Sequence, residues 1–166
     1  MLVGHSLGGN IARVFAGRYL HRVAGLVFVD SSIPQSFLIP NEPPPIDGDG
    51  PGASPIDTVA GQLEILTAPI PRVPAVALAR TPGRWDGVRK PPHPAVEDLW
   101  QVHQRLLAAQ YGCPLLVAAG AGHQMQRDAT DLVVYAIRTV HTAAHAGTPI
   151  GIDGIALVAV GGRRDM

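Results

Sequence analysis

The feature that most constrains this chain is a Gly-His-Ser-Leu-Gly sequence at residues 4–8. Apolar residues 2–3 precede it, and apolar residues recur at helical spacing over residues 10–20. This order predicts a strand, a tight turn and a helix. A serine at the tip of such a turn adopts a strained backbone conformation. We therefore expect the Ser6 hydroxyl to project above the end of the strand.

The glycines of this segment have a steric role. A strand and a helix joined by so short a turn approach each other closely, and the flanking residues must be small. Gly4, Gly8 and Gly9 supply such residues. The helix N-terminus beside the serine also favours developing negative charge.

The rest of the chain alternates between strand and helix patterns. Three unbroken apolar runs have the length and composition of strands covered on both faces, at residues 25–29, 73–79 and 115–119. Three further segments have helical spacing, at residues 57–66, 95–109 and 131–145. The alternation predicts an α/β fold with a mostly parallel sheet and flanking helices.

Two segments depart from this alternation. Residues 33–70 include a stretch rich in proline and glycine, which predicts a lid-like insertion. Residues 147–166 form a tail in which the apolar residues 155–160 suit either an extra edge strand or a disordered extension. We predict one α/β domain over residues 1–146, followed by this tail.

Composition excludes several classes of function. The chain has 13 Lys and Arg against 13 Asp and Glu, so its formal net charge is zero. No long-range field therefore attracts nucleic acid or an anionic membrane. No apolar run reaches the length of a membrane span, and the N-terminus lacks the pattern of a secretory signal. We expect a cytoplasmic protein with neither nucleic-acid nor membrane partners.

Residues 4–9, the helix after them and the strand at residues 26–30 together resemble the α/β-hydrolase superfamily, in particular its serine esterase and lipase branch. The resemblance extends from Met1 to about Ala146 and is weakest where lids vary. It implies a Ser–acid–His triad in chain order, a small-molecule ester or acyl substrate, and neither a metal nor an organic cofactor. In that superfamily several strands precede the serine turn. The resemblance therefore implies a partial α/β-hydrolase fold, the C-terminal portion, with the N-terminal strands missing.

The resemblance assigns the nucleophile and the base. Ser6 matches the nucleophile of the superfamily's strand–turn–helix motif. His123 follows a predicted buried strand within an Ala-Gly-His turn, where the superfamily places its base. Of the seven histidines, His123 alone combines a late position with a turn after a strand.

The acid has two candidates. Asp86 follows the strand after the insertion, where many superfamily members carry their acid. Asp30 lies at the tip of the strand after the nucleophile helix, a position used in part of the superfamily. We favour Asp30, because a rigid strand tip positions a carboxylate better than a loop rich in proline and glycine.

The oxyanion hole needs two backbone donors, and Leu7, directly after the nucleophile, is expected to supply one. The superfamily's other donor comes from a loop upstream of the motif, which this sequence does not include. We therefore expect a serine hydrolase that is truncated, and inactive alone unless another chain completes its sheet. The competing hypothesis is a degenerate or fragmentary hydrolase-fold protein that acts as a binding module or has no independent function.

Overall fold

The computed structural model describes residues 1–32, 58–85 and 94–165. None of the helices in these ranges is long and apolar enough to cross a membrane. In chain order the elements are β1 (Leu2–His5), α1 (Leu7–Arg18), β2 (Leu26–Val29), α2 (Thr58–Thr67), β3 (Ala75–Ala79), α3 (Pro94–Tyr111), β4 (Leu115–Ala118), α4 (Met125–Asp128), α5 (Thr130–Ala146), α6 (Gly154–Ala159) and β5 (Gly162–Arg164).

The five strands form one sheet in the order β1-β2-β3-β4-β5. Strands β1 to β4 run parallel, with Val3 beside Val27 and Val27 beside Val76. Strand β5 is antiparallel to β4, with Arg163 beside Val117. The predicted fold class, a mostly parallel sheet with flanking helices, is confirmed. Because β1 to β4 are parallel, their carboxyl ends meet at one edge of the sheet.

Both faces of the sheet are covered, and every residue of β2, β3 and β4 is buried. Alternate side chains of each strand point to opposite faces, which explains why these strands are unbroken apolar runs. One face packs against α5 and α6, through Val27, Val76, Leu78, Leu116, Leu132, Ala136, Val140 and Leu157. The other packs against α1 and α3, through Ala16, Leu26, Phe28, Ala77, Leu107, Ala108 and Val117.

Two glycines permit the close approach of β1, α1 and the residues after β2. A Cβ on Gly4 would lie 2.5 Å from the carbonyl oxygen of Gly8, and a Cβ on Gly9 would lie 1.6 Å from Oγ of Ser31. The prediction that these two positions require small residues is therefore confirmed. For Gly8 it is wrong, because a Cβ there would extend into open space with no atom within 4 Å.

The predicted insertion is described only at its end. Residues 33–57 lie outside the described residues, and residues 58–67 form α2, close to the helical pattern expected there. Helix α2 packs against α1, where Arg18 forms an exposed ion pair with Glu64. A Cβ on Gly17 of α1 would lie 2.6 Å from Cβ of Ala68, so this contact also needs glycine.

The tail contains both a helix and an edge strand. Residues 155–160 lie mostly in α6 and not in a strand, because Asp153 caps this helix by accepting hydrogen bonds from the next turn. The edge strand is formed instead by β5. A Cβ on Gly162 would lie 2.7 Å from Cδ1 of Leu132, so the strand reaches the core only because this residue is glycine.

Candidate active site

Ser6 occupies the turn between β1 and α1, with φ 52° and ψ −125°. An L-residue rarely adopts such a conformation, which costs about 1–3 kcal/mol and persists only where neighbours enforce it. The Ser6 N–H donates to the carbonyl of Val29 at 3.1 Å. The Ser6 carbonyl accepts from the N–H groups of Gly9 and Ser32, each at 3.0 Å. The strained turn is thus held at the carboxyl edge of the sheet.

Asp30 follows β2 directly and is fully buried. Its backbone N–H donates to the carbonyl of Leu78 at 2.8 Å, which fixes the strand end. Oδ2 accepts from Nδ1 of His123 at 2.6 Å and from Nη1 of Arg80 at 2.9 Å. Oδ1 accepts from Nε1 of Trp100 at 2.9 Å and from the backbone N–H of Arg80 at 3.3 Å. Both oxygens of this buried carboxyl are therefore satisfied by donors.

This environment determines the protonation of Asp30. Burial raises the pKa of the Asp30 carboxyl, but the hydrogen bond from His123, the charge of Arg80 and the hydrogen bond from Trp100 together outweigh it. The pKa of Asp30 is therefore lowered, and the group is a carboxylate that only accepts at neutral pH. In the neutral form of the imidazole, Nδ1 of His123 then donates to Asp30, and Nε2 is the unprotonated nitrogen.

The turn that carries His123 is fixed by Thr81, which follows β3, and by Asp128 of α4. The N–H of Thr81 donates to the carbonyl of Ala121 at 3.0 Å, and the N–H of Ala121 donates to Oγ1 of Thr81 at 3.0 Å. The N–H of Gly122 donates to Oδ2 of Asp128 at 3.1 Å. These bonds limit the positions that the imidazole can occupy.

His5, the last residue of β1, also contacts this turn. Its Nε2 donates to the carbonyl of His123 at 2.7 Å, and the two ring centroids lie 4.6 Å apart. Burial lowers the pKa of His5, although the hydrogen bond to the His123 backbone opposes the shift. A neutral His5 therefore links the residue before Ser6 to the backbone of His123. Sequence reasoning missed this contact, because 118 positions separate the two residues.

Comparison with known proteins gives the same assignment of fold. A family model described as the alpha/beta hydrolase fold matches residues 1–53, which include Ser6, α1, β2 and Asp30. The match covers 53 of the 166 residues and indicates the α/β-hydrolase fold for that part of the chain. The comparisons with curated proteins and with solved structures gave no match. His123 lies outside the matched residues, so its placement relative to Asp30 comes from the structure alone.

A buried charged cluster behind Asp30 was also missed by sequence reasoning. Arg80 directly follows β3, is 0% exposed, and bridges Asp30 and Glu97 through separate guanidinium nitrogens. Its guanidinium carbon lies 3.7 Å from the ring centroid of Trp85 and 5.1 Å from that of Trp100. One signal could have pointed to it, namely an arginine directly after a buried strand at the carboxyl edge.

The fold thus brings some of the predicted site residues together and not others. Asp30 and His123 are in direct contact, beside the turn that carries Ser6. In the described part of the chain the hydrogen bonds of Ser6 run through its backbone, and none joins its hydroxyl to His123. Leu7 begins α1, so its N–H has no acceptor within the helix. Asp86 lies outside the described residues.

The side chains in the ranges 1–32, 58–85 and 94–165 that could ligate a metal do not cluster. No group of three or more His, Cys, Asp or Glu side chains in those ranges is arranged to hold a metal ion. His123 and Asp30 bind each other, and the remaining donors to Asp30 are nitrogen groups of Arg80 and Trp100. The chemistry that these described residues support is proton transfer at His123.

Proposed function

We propose that this chain is a serine hydrolase that acts on a small-molecule carboxylic ester or a related acyl compound. Ser6 is the nucleophile, His123 the general base and Asp30 the acid that orients it. The observation that carries the proposal is the 2.6 Å hydrogen bond from His123 Nδ1 to the buried Asp30 carboxylate. This bond holds the imidazole in the tautomer that accepts a proton at Nε2.

In the acylation step, Ser6 Oγ attacks the acyl carbon while its proton passes to Nε2 of His123. The Asp30 carboxylate stabilises the resulting imidazolium, and the Leu7 N–H donates to the oxygen that gains negative charge. The bond between the acyl carbon and the leaving oxygen then breaks, and that oxygen takes the proton from His123. The products are an acylated Ser6 and a free alcohol.

In the deacylation step, water takes the place of the alcohol. His123 accepts a proton from water as the water oxygen attacks the acyl carbon. The bond from Ser6 Oγ to that carbon breaks, Oγ regains the proton from His123, and the carboxylic acid leaves.

The alternative is a non-catalytic hydrolase-fold protein that acts as a binding module. One observation favours it: within the described residues, the Ser6 hydroxyl makes no hydrogen bond to His123. Hydrogen bonds of this kind are frequently long in unliganded enzymes and tighten with substrate. In the binding-module alternative, the contacts of Asp30 and His123 serve stability only.

Reaction with a fluorophosphonate probe, followed by peptide mass spectrometry, distinguishes the two functions. We expect covalent labelling at Ser6, none in Ser6→Ala, and a labelling rate at least about 100-fold lower in His123→Gln. His141→Gln is the matched control, because His141 is exposed on α5, and it should label like the wild type. An unlabelled wild type that melts cooperatively would instead support the binding module.

A further inference from the structure

The buried cluster behind His123 contains one carboxylate that the proposed mechanism does not use. From the imidazole inwards, Asp30 carries a negative charge, Arg80 a positive charge and Glu97 a negative charge. Arg80 contacts both carboxylates, through Nη1 to Asp30 and Nη2 to Glu97. The three groups together therefore carry one net negative charge, which a protonated His123 would balance.

Without Glu97, Arg80 would weaken the stabilisation that Asp30 gives to a protonated His123. It binds the same oxygen, Oδ2, that accepts from His123, and it does so at 2.9 Å. An arginine at that distance neutralises the carboxylate and opposes a second positive charge on the imidazole. Proton uptake by His123 next to an Asp30–Arg80 pair thus requires a further negative charge close by.

The geometry prevents these groups from turning away to solvent. The guanidinium of Arg80 is fully buried and packs on Trp85 at 3.7 Å. Glu97 is 13% exposed, and its Oε1 accepts from the N–H of Gly83 at 3.0 Å and from Nε2 of Gln101 at 2.8 Å. Buried charges of this kind are screened much less by salt than surface pairs.

We propose that Glu97 is a positioning residue of this site, which neutralises Arg80 so that the Asp30 carboxylate can stabilise a protonated His123. The proposal rests on the proposed function, because the imidazolium forms during acyl transfer. Glu97 balances the charge of Arg80 and does not touch the imidazole.

Other titratable groups approach the same turn from neighbouring elements. His5 faces the imidazole from the end of β1 as a neutral ring, and Asp128 of α4 accepts from the N–H of Gly122. Variants with substitutions at Glu97 or Arg80 keep both His5 and Asp128. A change in the titration of His123 on substitution of Glu97 therefore reports the Glu97 charge.

The test is Glu97→Gln, with two readouts. We expect the pH at which the His123 imidazole takes up a proton, followed by NMR and assigned with His123→Gln, to fall by about one pH unit. The pH midpoint of fluorophosphonate labelling should move down by the same amount. The maximal labelling rate should fall about threefold to tenfold, because the base is weaker.

Two controls separate charge from structure. Glu97→Asp keeps the charge, so its His123 should titrate close to the wild type. Glu64→Gln removes the carboxylate of the exposed pair between α2 and α1, and should change neither readout. If Glu97→Gln does not fold, Arg80→Met is compared with Arg80→Met/Glu97→Gln. Arg80→Met leaves the charge of Glu97 unbalanced and should raise the midpoint, whereas removal of both charges should return the midpoint close to that of the wild type.

The outcomes separate this inference from the proposed function. An unchanged His123 titration in folded Glu97→Gln, or a double variant that titrates like Arg80→Met, overturns the role of Glu97 even if Ser6 is labelled. A lowered midpoint in a protein whose Ser6 is never labelled supports the charge balance and contradicts the hydrolase function. A lowered midpoint together with Ser6 labelling supports both.

Discussion

Replacement of Asp30 by asparagine keeps the shape of the side chain and removes its charge. Arg80 is fully buried and loses one of its two carboxylate partners, while Glu97 remains. Removing one partner of a buried ion pair costs about 3–5 kcal/mol. Because Arg80 keeps Glu97, we expect the lower end, about 3 kcal/mol. For a chain of this size that lowers Tm by roughly 6–12 °C.

The same change disrupts the chemistry at His123. A carboxamide presents one oxygen where the carboxylate presents two, and both Asp30 oxygens accept hydrogen bonds. If the amide nitrogen replaces Oδ2, Nδ1 of His123 must become an acceptor and the proton moves to Nε2. If it replaces Oδ1, it faces the indole N–H of Trp100. The first arrangement removes the base, and we expect labelling of Ser6 to slow by about 10³-fold.

Lowering the pH should reveal the stabilisation that the charge of Asp30 provides. The pKa of Asp30 is lowered in the folded protein, even though burial alone raises it, because His123 and Arg80 favour the carboxylate. This stabilisation is complete above the pKa of an unfolded aspartate, about 3.9, and is lost as pH falls through the lower folded value. The Tm of the wild type should therefore decline below about pH 4 more steeply than that of Asp30→Asn.

Thermal melts at pH 7 and pH 3 and second-order labelling rates measure these effects. Asp86→Asn is the matched control, since Asp86 is the other candidate acid in the sequence. We expect it to leave the rate and the acid dependence of Tm near those of the wild type. If Asp86→Asn slows labelling more than Asp30→Asn does, the assignment of Asp30 as the acid is refuted.

Two further predictions concern the packing of the site. Gly9→Ala should lower stability by about 1–3 kcal/mol, because its Cβ would lie 1.6 Å from Oγ of Ser31. Gly8→Ala is the control and should be neutral or slightly stabilising. Equal melting temperatures for the two variants would contradict this prediction. His5→Phe keeps a ring but loses the 2.7 Å hydrogen bond to the His123 carbonyl. It should slow labelling of Ser6 about fivefold through a loss of about 1 kcal/mol, and a rate equal to the wild type would show that this bond does not position the base.

Much of the fold was predictable because its signals are local. The unbroken apolar runs at β2, β3 and β4 indicate strands covered on both faces, and the structure buries every residue of these strands. The apolar run at residues 155–160 was ambiguous, because a short apolar run is compatible with a helix as well as with a strand. Its length suits a strand, but a capping aspartate before it and a glycine after it decide for a helix followed by an edge strand.

The sequence by itself determined the turn at Ser6, because the glycines and the adjoining strand and helix lie within a few residues of one another. It also indicated the late turn at His123. Only the tertiary structure decided which groups surround them. Arg80, 50 positions from Asp30, and His5, 118 positions from His123, meet their partners because parallel strands bring distant carboxyl ends to one edge. A one-dimensional pattern does not contain such contacts, because they arise from the order of strands in the sheet.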